Sequence, residues 1–127
     1  MANGTIAFDT LTTSDSAKSN TEKSINTSYI FNGVSKSWVG ILNKSAVSNG
    51  DSLNVSSLTD PGTGRIQITY SNNMNNATYS VTLGEGGNYA YQGKVTSTSQ
   101  AEHGSVNNSG SYTDSTNGSL TIHGDLA

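Results

Sequence analysis

The sequence predicts an all-β fold: an antiparallel β-sandwich or small jelly-roll-like knob carrying an extended N-terminal arm, within 127 residues. Three observations carry that expectation. Apolar residues fall in short alternating runs such as Gln67-Ile68-Thr69-Tyr70 and Tyr79-Ser80-Val81-Thr82-Leu83, a pattern that puts opposite characters on the two faces of a pleated strand. Gly, Asn and Asp punctuate these runs at the spacing of short antiparallel strands. No stretch carries apolar residues at the spacing of a helix face.

Thr5-Ile6-Ala7-Phe8 alternates briefly, and Thr12 to Ser28 is polar except for Ala17 and Ile25. Such a stretch buries too little surface to offset its ordering entropy. Ser19 and Glu22 have capping-box spacing, but no periodic apolar run follows, so no helix is expected there. Residues 1–26 therefore read as an arm for docking or subunit exchange, and 27–127 as the knob.

Within the knob, Ser28-Tyr29-Ile30-Phe31 and Val34 to Val39 flank Asn32-Gly33, a strong hairpin signal because both turn positions tolerate positive φ. Asn49-Gly50 is expected to separate a strand ending near Leu42 from Ser52 to Ser56. Asp60-Pro61-Gly62-Thr63-Gly64 is a turn, in which Pro presets φ and the glycines relax the exit. Ile66, Ile68 and Tyr70 then share a face, as do Tyr79, Val81 and Leu83 after the polar loop Asn72 to Asn76. Gly84 to Gly87 breaks the chain, and Tyr89, Tyr91 and Val95 lie in phase on the next strand. Ala101 to Ser111 reads as irregular. Asn117-Gly118 introduces a last strand, with Leu120 and Ile122 inward.

Composition narrows the function. Ser, Thr, Asn and Gly supply about half of the chain, only 12% of residues are charged and the formal net charge is −3. The charged share is about half the usual one. Six scattered basic residues cannot build a phosphate-neutralising stripe or hold an anionic bilayer, so neither nucleic-acid binding nor membrane insertion is expected. Cysteine is absent, which removes disulfides and thiolate metal sites. Met1 is followed by neither a basic nor an apolar leader, so synthesis in the cytoplasm without a signal peptide is expected. With 31% hydrophobic residues the core is thin, and a partner subunit would add stability.

No recognised catalytic or cofactor motif is present. His103 follows Glu102, but neighbours on a strand point to opposite faces, so the pair reads as part of a solvated loop. His123 and Asp125, two apart on an extended segment, could present a metal pair in each of three copies around an axis; the plainer reading is a polar strand end. No pair of carboxylates shares a strand face as glycoside hydrolysis would need. The expectation is therefore no enzyme, no cofactor and no metal. Among the aromatics, Tyr112 in a polar Gly/Ser stretch is the best candidate for surface contact, followed by Tyr89 and Tyr91, which a core role would also suit. Trp38 reads as core or subunit interface, and Ile6, Phe8 and Leu11 are candidate interface residues in and beside the arm.

Three stretches carry a resemblance: Gly4-Thr5-Ile6-Ala7-Phe8-Asp9-Thr10-Leu11-Thr12-Thr13-Ser14-Asp15 leading into Lys23 to Trp38, then Asp51-Ser52-Leu53-Asn54-Val55-Ser56-Ser57-Leu58-Thr59-Asp60-Pro61-Gly62-Thr63-Gly64, then Ile68 to Tyr79. In this order they resemble the β-rich tail-fibre and related appendage proteins of tailed, marine-type bacteriophages. The likeness runs to about Leu83 and returns at Ile122-His123-Gly124-Asp125-Leu126-Ala127. It implies a leader before a β knob, a homotrimer, and neither cofactor nor catalytic residue. The expected place is the virion exterior, with other virion proteins and a host-surface glycan or receptor as partners. The segments Gly84 to Asn88 and Ser97 to Gly118 would then face the receptor. A capsid decoration or head-knob protein is the first alternative, and a carbohydrate-binding module the second.

Overall fold

The computed structural model describes residues 10–12, 24–86 and 90–127. The chain divides into two compact units, Met1–Val34 and Ser35–Ala127. In the first, β1 (Thr10–Thr12) pairs antiparallel with β2 (Ser24–Asn26), and α1 (Thr27–Gly33) follows directly. This corrects the hairpin expected at Asn32-Gly33. Asn-Gly is a stop signal for either element, and here it ends a helix, after which Val34 N donates to Ile30 O at 3.1 Å.

The second unit is the β-sandwich. One antiparallel sheet has the order β4-β3-β10-β7, from β3 (Ser37–Asn43), β4 (Ser48–Leu53), β7 (Ser80–Glu85) and β10 (Gly118–His123). The other has the order β5-β6-β9-β8, from β5 (Val55–Thr59), β6 (Arg65–Tyr70), β8 (Ala90–Ser97) and β9 (Gln100–Val106). The alternation in the sequence becomes burial. Val39 and Ile41 of β3, Ile66, Ile68 and Tyr70 of β6, Ala101 of β9, and Leu120 and Ile122 of β10 form the core with Met74 and Tyr79. Ile66, Ile68, Leu120 and Ile122 are wholly buried, each contributing about 1.5–3 kcal/mol by leaving water.

Two connections differ from expectation. The β3–β4 turn falls at Lys44–Val47, where Asn43 Oδ1 accepts from Ser45 Oγ (2.8 Å) and Ala46 N (3.3 Å). An Asn at the head of a turn mimics a backbone acceptor in this way, and Asn49-Gly50 is left inside β4. The run Ser52 to Ser56 belongs to two strands rather than one. Asn54, at φ 56°, turns the chain from the first sheet into the second. Its side chain bonds Lys36 O (3.1 Å) and Asn72 O (3.0 Å) and accepts from Asn72 N (2.7 Å).

The segment expected to be irregular from Ala101 opens within β9, which is buried from Ala101 to Val106. Its inward residues are Ala101, His103 and Ser105, and a small-plus-polar inner face carries no hydrophobic signal for a sequence pattern to detect.

Candidate functional site

The outer face of the second sheet carries a cluster of side chains built around Tyr112. Register places Arg65 of β6, Gly104 of β9 and Gln92 of β8 side by side, with Gln67, Glu102 and Lys94 in the next row. After β9 the chain doubles back: Tyr112 bridges to Val106, and Thr113 N donates to Ser105 O at 3.1 Å. The Tyr112 ring lies across Gly104, where a Cβ would sit 3.0 Å from its Cε1. Its hydroxyl donates to Gln92 Oε1 at 2.6 Å, and the Arg65 guanidinium lies 5.6 Å from the ring centroid. Arg65 in turn grips Glu102 through Nε (2.8 Å) and Nη2 (2.7 Å), which raises the Arg65 pKa. Tyr112 remains 43% exposed. A fixed aromatic ring amid amides and one forked ion pair suits a flat polar partner, giving area at little conformational cost.

A second cluster lies inside the same unit. Lys44, from the β3–β4 turn, places Nζ 2.7 Å from Glu85 Oε2 at the end of β7, and both side chains are fully buried. Lys44 Nζ also bonds Ser105 Oγ. Ser105 donates to Glu85 Oε2 at 2.5 Å and lies 3.3 Å from Ser115 Oγ. His103 Nε2 is 3.1 Å from Gly84 O and 3.6 Å from Glu85 Oε2. The imidazole fits because Gly118 faces it; a Cβ there would be 3.2 Å from Nε2. Burial lowers the Lys44 pKa against the pull of Glu85. Burial pushes Glu85 up, but Lys44, Ser105 and Ser115 outweigh it and hold the carboxyl below its usual range. Burial and the Lys44 charge both lower His103.

The expected residues scatter. Tyr112, the first candidate for surface contact, lies exposed beside Val106 at the edge of β9. Trp38 is not part of the core cluster: it alternates with buried Ser37 and Val39, so it stands partly buried on the outer face of the first sheet, in register with Thr121 and Leu53. Ile6, Phe8 and Tyr89 lie outside the described residues, as do Ser19 and Glu22. Leu11 and Tyr91 are placed only by their backbone, in β1 and β8. Glu102 and His103 do point to opposite faces, but His103 is fully buried, so the solvated-loop reading is wrong. Gly84 and Glu85 belong to β7, and Gln100–Val106 to β9, so the two expected receptor loops are shorter than expected. Lys44, Glu85, Ser105 and Ser115 were missed because they come from four separate segments with no shared spacing. The signal available was the rarity of charge: a lone Lys among Asn and Ser residues and a lone Glu in a glycine run. The chain matches no protein-family model, no curated protein and no solved structure.

Proposed function

We propose that this chain is a non-enzymatic virion structural protein of a tailed phage: an exposed appendage, such as a tail-fibre or receptor-binding tip, that assembles with itself as a homotrimer and attaches to a host surface. The observation that supports contact rather than catalysis is the division of polar groups described above. The side chains of Lys44, His103, Glu85 and Ser105 are buried and engaged with one another, whereas the exposed face offers amides, hydroxyls and the held ring of Tyr112. Weak contacts of this kind gain strength from several identical copies.

Docking and self-association are supported by the first unit. Ile25, Tyr29, Phe31 and Val34 are between 42% and 72% exposed, a density of large apolar side chains that a free surface seldom carries. Trp38 and Leu53 on the outer face of the first sheet add a second apolar spot.

Native mass measurement of the purified chain is expected to give a trimer; a monomer overturns the assembly. Purified protein is expected to adsorb to host cells or immobilised host glycan, and Tyr112→Ala to lose most of that adsorption. Unchanged adsorption rejects the contact face. Many copies per particle on the capsid, rather than a few at the tail, would favour the decoration role.

A further inference from the structure

We propose that Lys44 and Glu85 condense into an intramolecular amide that ties the end of β3 to the end of β7. The two residues are 41 apart in sequence, with Nζ 2.7 Å from Oε2 and both side chains at 0% exposure. The ground state is a poor resting place for two charges. Glu85 Oε1 has no hydrogen-bond partner among the described residues, and an ion pair shut away from water is stable only when its remaining lone pairs are satisfied. Proton transfer along the short contact discharges both groups, giving a neutral amine beside a neutral carboxyl. Burial favours the neutral form of both groups, and the condensing state is reached from the ion pair in which Lys44 and Ser105 hold the Glu85 carboxylate.

The neighbours then match what condensation requires. The neutral Nζ attacks Glu85 Cδ. The C–Oε2 bond breaks, and Oε2 leaves as water, carrying the proton it received from Lys44 and a second proton from Nζ. Oε1 remains as the amide carbonyl, so one N–C bond forms, one C–O bond breaks and one water is released. No other reagent is needed. Ser105 Oγ at 2.5 Å and His103 Nε2 at 3.6 Å both address Oε2, the leaving oxygen, and so are placed to relay the proton. Holding the reactants in one geometry away from solvent supplies the remaining advantage, and exclusion of water also opposes hydrolysis of the product.

Because β10 lies between β3 and β7 in the sheet, the bond would clasp three strands at one end. This inference is independent of the attachment reading: a chain without the amide could still adsorb to a host, and a cross-linked chain could fail to.

Denaturing mass spectrometry of the full-length chain tests it. The expected mass is that of the sequence less one water, and trypsin should release peptide 37–65 joined to peptide 66–94, uncut after Lys44. Lys44→Arg and Glu85→Ala should each restore the full sequence mass, whether or not they fold. Glu85→Gln should still cross-link, now with loss of ammonia. A native chain of full mass, or a water loss that persists in Lys44→Arg, overturns the proposal.

Discussion

Two cation–carboxylate pairs sit on opposite sides of the same strand, and they do different work. Glu102 faces outward and is gripped by Arg65 in a forked geometry, with the Arg65 side chain still one-third exposed. His103 and Ser105, its neighbours on β9, face inward to Lys44 and Glu85, which no solvent reaches. Water screens the outer pair, so it orients Tyr112 more than it stabilises the fold. The inner pair has only a handful of partners to replace hydration, so each partner matters. Position relative to water, rather than the residue types, sets the two pairs apart.

The sharpest way to break this contrast is to remove one inner charge. Glu85→Ala leaves Lys44 buried without its carboxylate and should cost about 3–5 kcal/mol, read as a lower urea midpoint with little change in slope. A loss no larger than that of an average surface substitution would show that water reaches the cluster. A second test uses pH. His103 is held below its ordinary value near 6.5 by burial and by Lys44, with Glu85 and the Gly84 carbonyl opposing. The unfolded chain therefore takes up a proton at His103 before the folded one does, and stability is lost as pH falls below about 6.5, by ~1.4 kcal/mol for each unit of the depression. Thermal melts of His103→Gln should show a flatter dependence over that window.

Paired glycine substitutions sharpen the comparison, because each cluster rests an aromatic ring on a glycine. Gly118→Ala sets a Cβ 3.2 Å from His103 Nε2 inside the sandwich, where the ring has nowhere to go; about 1–3 kcal/mol should be lost. Gly104→Ala sets one 3.0 Å from Tyr112 Cε1, but that ring can swing into solvent. The stability cost should stay below about 1 kcal/mol, while ring fluorescence and adsorption change. Tyr112→Ala should have the smallest effect on stability, within about 0.5 kcal/mol, measured by the same melts.

Legibility in the sequence followed the same boundary. Arg65 to Tyr70 could be read residue by residue, because its inner positions are apolar and its outer ones polar, and the structure buries every second residue. Leu120 and Ile122 were equally plain. Where the interior is itself polar, alternation between His103, Ser105 and their outward neighbours carries no contrast, and β9 was read as a loop. Tyr112 could be singled out because an aromatic ring in a run of Gly and Ser has little reason to be buried. Its platform could not, since Arg65, Gln92 and Glu102 meet only through strand register. The helix at Thr27–Gly33 was hidden by β-favouring residues that local propensity ranks as strand formers.

Asn54 has a mechanical consequence for the sandwich. A single uninterrupted stretch passes from one layer to the other at this residue, and its amide fastens the Lys36 and Asn72 backbones at the same corner. Shear that would slide one layer over the other must therefore first pull this rivet out. A sandwich pinned at such a corner keeps the register of its two layers under load.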